Sequence, residues 1–402
     1  MLPSTFSNTN VSSHEPNLLN LTDFCKGIAI IFIFLVHYKG SWFGWQGVHI
    51  FIVLSGFGLA YSCLKRDEKP QWKTWYIRRF RRVLPVYWLV VLCSLPFLIV
   101  FQIVLGSEIW SALIRTFLDF LLLRNFFEQF MGGGTGALWY IPFIISCYLI
   151  FPFLYTHVKK CSTAQGYLLI LLTVAAVEFL YRAVAIYWLD GLPISYEHKF
   201  FGFIPDSVSP LDRLTNFFFG IFQRRSPFGF FPSRIAEFTL GVVAAFAIVQ
   251  NSLRLNKNLI NPYMGLIGIL IWLAGQALLY VGLWGWIFGD FVIALGLILW
   301  MLNLANFFQK TAPSLFQMVT WLGIWSYYIY LTHQPFTRVF RGIEIKLLTA
   351  DTNIFTAFVS LSLFGLTIAS VYIASWLAMK FDRSRVPELV TQRMSRIISL
   401  RR

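Results

Sequence analysis

An all-α, polytopic membrane bundle is the fold class this sequence predicts, on three observations. Only 13% of its 402 residues are charged, against about 25% in a typical soluble domain. Hydrophobic residues make up 57%. Apolar runs of about 20 residues, the length a helix needs to cross the hydrocarbon core, recur from residue 27 to residue 379. Backbone groups in lipid have no water to bond, so each run is expected to close its hydrogen bonds within a helix.

Ten spans are expected, near 27–45, 46–63, 84–104, 138–157, 166–188, 233–250, 262–282, 284–304, 317–337 and 354–379. The segment IWSALIRTFLDFLLLR, 109–124, is apolar but interrupted by Arg115, Asp119 and Arg124. It reads as an interfacial or partly inserted helix. The domain plan is a cytoplasmic N-terminal tail over 1–25, a transmembrane domain over 26–380 and a basic cytoplasmic tail over 381–402. The first 25 residues contain no Lys or Arg, and no small-residue cleavage site follows the first apolar run. That run is therefore expected to stay as a helix. No internal repeat and no fused soluble domain is read in the chain.

Loop charge sets the orientation. With the N-terminus cytoplasmic, the basic stretch KRDEKPQWKTWYIRRFRR (65–82), Lys159 and Lys160, Arg254 and Lys257, Lys310 and the C-terminal tail all fall inside, as the positive-inside bias requires. A full span at 109–124 would put the basic C-terminus outside. The formal net charge of +15 is thus read as topology, not as a nucleic-acid surface. The five cysteines (25, 63, 93, 147 and 161) show no CxxC or metal spacing and read as small apolar residues. No metal site is expected.

The stretch KGIAIIFIFLVH (26–37) brackets an apolar run with Lys26 and His37. An offset of eleven residues returns to nearly the same helix face, about 16 Å along the axis. Both groups are expected to face one groove, with Lys26 near the cytoplasmic surface and His37 well inside the membrane. An ionisable group at that depth is a functional-site candidate. Arg234 and Glu237, three apart at the outer start of the sixth span, share a face. They are expected to line a polar path through the bundle or to lock helix packing. Ser326, Tyr330 and His333 lie along the ninth span and Trp139 at the outer edge of the fourth. His14, His49, His157 and His198 are assigned no chemistry.

Several of these stretches together resemble the membrane-bound acyltransferase 3 family. Asp23, Lys26, Gly27 and His37 match its first helix, and GVHIFIVLSGF (47–57) its second. RRFRRVLPVYW (78–88), RIAEFTLG (234–241) and SYYIYLTHQPF (326–336) are similar to later motifs, in order along nearly the whole chain. Two departures stand out. Lys26 replaces the more frequent Arg, so a bidentate grip on phosphate becomes a point charge. Ile144 and Ile145 stand where many members carry Glu, so any role of that Glu must be met differently here.

The resemblance implies transfer of an acyl group, commonly acetyl from acetyl-CoA, to a hydroxyl of a carbohydrate or other cell-surface acceptor. Acyl-CoA is then a co-substrate, and no tightly bound cofactor is expected. His37 is the expected general base, since a neutral imidazole can take the proton of an attacking hydroxyl; a covalent acyl-histidine is a second route. Asp23 joins it in the catalytic set, one turn before Lys26, whose position it would fix. Lys26, Arg78, Arg79 and Arg82 are expected to hold the phosphates of acyl-CoA, with Arg79 and Arg82 the family-matched pair. Trp139, Arg234, Glu237, Ser326, Tyr330 and His333 are expected along the acceptor's path. The other partners are membrane lipids, with no nucleic acid, and the expected location is a bacterial inner membrane. The competing reading is a transporter or flippase for a saccharide or related polar substrate, which also needs polar residues at depth but often shows inverted repeats.

Overall fold

The computed structural model describes residues 18–40, 43–66, 70–104, 108–132, 134–189, 191–194, 224–250, 258–348 and 354–384. Residues 1–17 of the expected N-terminal tail, most of the outer loop 189–232, Arg254, Lys257 and residues 385–402 of the expected C-terminal tail lie outside the described residues, as do His14 and His198. Helices dominate. The N-terminal half holds α1 (Leu18–Lys39), α2 (Gly47–Leu64), α3 (Trp72–Val104), α4 (Ile109–Phe120) and the single turn α5 (Glu128–Met131), then α6 (Tyr140–Lys159) and α7 (Ala164–Trp188). The second half holds α8 (Ile235–Gln250), α9 (Pro262–Leu279), α10 (Gly285–Thr311), α11 (Pro313–Leu347) and α12 (Ile354–Asp382). No strand forms among the described residues.

Local chemistry sets several helix starts. Thr163 caps α7 by accepting from the Gly166 amide at 3.1 Å, and Asn261 caps α9 by accepting from the Tyr263 amide at 3.0 Å. Proline at the first position opens both α9 and α11, where its missing N–H costs no intrahelical bond.

Nine helical stretches among the described residues are long and apolar enough to cross a membrane. The expected span at 317–337 lies within α11, which falls short of that apolarity. Its middle carries Ser326, Tyr327, Tyr328, Tyr330, Thr332, His333 and Gln334, polar groups that a helix keeps at depth only when they face the bundle. The segment expected to be interfacial forms α4, twelve residues long, or roughly 18 Å by helix rise. That is too short to span. Its outer face shows Trp110, Ile114 and Phe117, while Arg115 and Asp119 are 6% and 1% exposed and point inward.

Two helices begin well before their expected spans. The first span and the tail before it were expected to meet near residue 26, but α1 starts at Leu18, and it ends at Lys39 rather than near 45. Burial of Leu21, Phe24 and Cys25 in a core shared with α10 and α11 carries the helix back past the apolar run. Helix α3 starts at Trp72, not near 84, so the arginine cluster is helical rather than in a loop. Trp75 stacks on Phe151 with ring centroids 4.9 Å apart, and the Tyr76 hydroxyl donates to the Leu149 carbonyl at 2.8 Å. These contacts anchor the early turns between the charged residues.

Small residues set the closest helix crossings. A Cβ on Gly323 of α11 would run into the Asp23 carbonyl oxygen of α1, and one on Gly27 into the Val319 carbonyl oxygen. Gly56 of α2 and Gly241 of α8 interlock in the same way, against the carbonyls of Phe238 and Val53. Membrane helices, lacking a hydrophobic drive to associate, gain from such backbone approach. Replacing Gly323 by Val should lower the thermal midpoint of the detergent-solubilised protein, by about 1–3 kcal/mol of overpacking. Gly342→Ala, where a Cβ meets nothing within 4 Å, should leave the midpoint unchanged or raise it.

Candidate active site

One cavity of roughly 710 Å³ opens where α2 ends and α12 finishes. Its volume lies in the range of sites that hold a cofactor-sized ligand, about 300–1,000 Å³. Five cationic side chains line it, Lys26, Arg66, Arg78, Arg79 and Arg82, against the two carboxylates Asp23 and Asp382. Arg81, on another face of α3, is not in the lining.

Two of the five cations are held by neighbouring side chains. Lys26 Nζ lies 2.9 Å from Asp23 Oδ1, three residues earlier on α1. Arg79 donates to the Ser62 hydroxyl at 2.9 Å and lies over the Trp75 ring, 5.7 Å from its centroid. Asp382, at the end of α12, accepts from the Tyr328 hydroxyl at 2.6 Å. Arg66, Arg78 and Arg82 make no ion pair among the described residues, so their charge is available to an anion.

Aromatic and apolar side chains share the lining with the charges, among them Tyr140, Tyr148, Tyr330 and Ile144, together with Ser326. The Tyr330 hydroxyl donates to the Ala137 carbonyl, and the Gln334 side-chain oxygen accepts from the Ala137 amide. These two bonds tie α11 to the turn before α6.

His37 occupies the last turn of α1, two residues before its end at Lys39. It was expected to share one groove with Lys26, but neither it nor His333 is in the lining of the cavity. The ring of Tyr330, which is in the lining, lies 5.8 Å from that of His333, three residues on. His333 Nε2 is 3.2 Å from His37 Nδ1, and the two rings meet edge to face at 4.9 Å. His37 Nδ1 is also 2.8 Å from the Ile33 carbonyl oxygen, and His333 Nδ1 is 2.8 Å from that of Tyr330. So the structure brings Asp23, Lys26, Arg78, Arg79, Arg82, Ser326 and Tyr330 to one cavity, and His37 and His333 to a pair just beyond it.

Trp139 lies outside both. It packs edge-on against Tyr140 and Phe143, and its carbonyl accepts from the Asn125 amide at 2.9 Å. Arg234 and Glu237 are also elsewhere, in a buried ionic network between α2, α7, α8 and α10. His49 Nδ1 is 2.9 Å from Glu237 Oε2 and 2.9 Å from Arg234 Nη1. Asp290 accepts from Arg182 at 2.9 Å and pairs with Arg234 at 3.2 Å. Glu178 accepts from the Ala236 amide at 2.8 Å.

Sequence reasoning missed four of these six residues. His49 was given no role, and Glu178, Arg182 and Asp290 were not singled out. A signal was present: Glu178 and Arg182 stand four apart in an otherwise apolar span, and Asp290 is alone in another.

A second polar knot holds the irregular segment between α4 and α6. Arg124, fully buried, donates to the carbonyls of Phe130 and Thr135 and pairs with Asp119 at 3.1 Å. Arg115 donates to the Gly132 carbonyl at 2.7 Å. Burial pushes the Asp119 carboxyl up to about 6, against the pull of Arg124 and Arg115.

Fold and site together define an integral membrane protein with a cationic cavity at one end and a histidine pair beyond it. The chain belongs to an acyltransferase family: the family model described as "Acyltransferase domain" matches residues 22–379. Over 142 residues it is 28% identical to the peptidoglycan O-acetyltransferase OatA of Listeria monocytogenes, a match covering 32% of this chain and 23% of that protein. Over 117 residues it is 27% identical to the acyltransferase MdmB of Streptomyces mycarofaciens, covering 28% of this chain and 29% of that one. The matches span about a quarter of the length of these relatives. No solved structure matches the chain.

Asp290 is the hinge of the ionic network, because it serves both Arg182 and Arg234. Asp290→Ala takes from Arg182 its carboxylate and leaves Arg234 with Glu237 alone, a loss of about 3–5 kcal/mol for a broken buried pair. Size-exclusion profile and thermal midpoint of the purified variant should show aggregation or a large downward shift. A wild-type profile would mean the network contributes little to holding these helices.

Proposed function

We propose that this protein is an integral membrane O-acyltransferase that takes an acyl group, acetyl by this reading, from acyl-CoA at the cationic cavity and delivers it to a hydroxyl near His37. The arrangement that carries this reading is five cations on one cavity whose lining residue Tyr330 stands one helical turn before His333, the ring in contact with His37.

The chemistry follows from the side chains. Acyl-CoA is anionic at its nucleotide end, and guanidiniums grip phosphates in fixed geometry. Arg79 and Arg82, with Arg78 and Lys26, hold that end, and Asp23 keeps the lysine in place. The pantetheine arm is long and uncharged, and it runs inward past Ser326 and Tyr330. His37 takes the proton of the acceptor hydroxyl as its oxygen attacks the thioester carbon. The C–S bond breaks, and the imidazolium returns the proton to the departing thiolate, giving free CoA and an ester.

The acceptor is a carbohydrate or other cell-surface hydroxyl compound. The name of the Listeria relative, a peptidoglycan O-acetyltransferase, supports a polymeric sugar. Both relatives come from bacteria, which supports a bacterial plasma membrane. The basic stretch 65–82 and the basic C-terminal tail support both termini and the cavity facing the cytoplasm, where acyl-CoA is made.

Equilibrium binding of CoA and acetyl-CoA to detergent-purified protein tests the donor site. Arg82→Ala and Arg79→Ala should each weaken binding about tenfold, since a charged hydrogen-bond partner is worth roughly 1.5–3 kcal/mol, and added salt should weaken the wild type further. His37→Ala should bind as wild type does and transfer no acyl group in membranes. Wild-type protein without CoA affinity would sink the donor assignment and favour a transporter for another anion.

A further inference from the structure

We infer that His333 is a positioning residue that fixes the tautomer of His37, so that Nε2 of His37 is the nitrogen that meets the acceptor hydroxyl. This inference rests on the reading of His37 as the base.

The argument is a count of protons and acceptors around two rings. His333 Nδ1 faces two carbonyl oxygens, that of Tyr330 at 2.8 Å and that of Ile329 at 3.2 Å. Oxygens only accept, so this nitrogen carries the proton of the neutral ring. His333 Nε2 is then a lone pair. It lies 3.2 Å from His37 Nδ1. Two bare nitrogens at that distance repel, so His37 Nδ1 must carry its proton and donate it. The Ile33 carbonyl, 2.8 Å from the same nitrogen, independently demands the same arrangement. Three backbone oxygens on two helices thus agree on one assignment. The remaining nitrogen of the pair, His37 Nε2, is the lone pair left for chemistry.

The consequence reaches the transfer step. When the acceptor's O–H proton moves to His37 Nε2, the ring becomes cationic. Its Nδ1–H then donates more strongly to His333 Nε2, which spreads the charge without taking the proton. His333 is fully buried and His37 half-buried, so no bulk water supplies that acceptor from the His333 side. An orienting partner of this kind does for a histidine what a carboxylate does in a Ser-His-Asp triad.

Two readouts test it. In purified full-length protein labelled with ring-15N histidine, and with His37 assigned through His37→Asn, the nitrogen shifts report which atom is protonated. His37 should show a protonated Nδ1 and a bare Nε2; in His333→Phe, where Nδ1 keeps the Ile33 carbonyl but loses its second acceptor, a minor share of protonated Nε2 should appear. In membrane vesicles supplied with 14C-acetyl-CoA, transfer to the endogenous acceptor reports function. General-base catalysis is worth about 10²–10⁴-fold, and with the Ile33 carbonyl left in place His333→Phe should lose about tenfold in kcat, with KM for acetyl-CoA unchanged. His333→Gln, whose amide oxygen can stand where Nε2 was, should recover most of that loss. A protonated Nε2 on His37 in the wild type overturns the inference. So does a His333→Phe protein with wild-type kcat, or equal losses in the Phe and Gln variants alongside a lowered thermal midpoint. The base reading fails separately, if His37→Ala still transfers label while the tautomer is as assigned.

Discussion

The approach of α1 to α11 at Gly27 and Gly323 is the constraint on which the site depends. Each glycine lets the other helix's backbone close in, at the Val319 carbonyl on one side and the Asp23 carbonyl on the other. The two helices run in the same direction from that crossing. His37 stands ten residues beyond Gly27, and His333 ten residues beyond Gly323. Equal offsets carry both rings about 15 Å along the axes, so they arrive at the same level and touch. The same crossing sets Asp23 and Lys26 on the cavity wall opposite Ser326 and Tyr330. A larger residue at either glycine would move the cationic mouth and the histidine pair together.

The rest of the bundle meets a second demand, that no buried charge go unpartnered where water is scarce. Two carboxylates, Glu237 and Asp290, two guanidiniums and His49 answer one another between α2, α7, α8 and α10, and Glu178 beside them accepts from the Ala236 amide. Arg124 and Arg115 satisfy the carbonyls of the irregular segment between α4 and α6. That segment in turn supplies Ala137, which holds Tyr330 and Gln334 through its carbonyl and amide. The polar knots therefore do more than avoid desolvation costs. They fix the part of α11 that stands between the cavity and the histidines.

Much of this was legible in the sequence. Apolar runs gave the helical membrane class and nearly every helix position, because burying backbone in lipid leaves little choice but a helix. The family-matched basic residues of α1 and α3 do gather at one cavity. What the one-dimensional pattern could not carry was contact between distant segments. Early starts of α1 and α3 come from tertiary burial of Phe24 and Trp75, which hydropathy along the chain does not reveal. His49 looked like a residue at a helix mouth until Glu237 and Asp290 stood beside it. Arg234 and Glu237 kept the pairing their spacing allowed, and their surroundings turn that pair toward helix packing. The partnership of His37 with His333, 296 positions apart, is visible only in three dimensions.

The central claim is that a donor held by the arginines reaches the histidine pair by passing Tyr330. Photolabelling tests it most directly. An acyl-CoA analogue with a diazirine at the end of a short acyl chain would be bound to the purified protein, irradiated, and its adducts mapped by mass spectrometry. The account predicts label on the end of α1 around His37 and on α11 between Tyr330 and Gln334, suppressed by excess CoA. CoA-protected label confined to the arginine mouth around Arg66 and Arg78, with none beyond Tyr330, would contradict it.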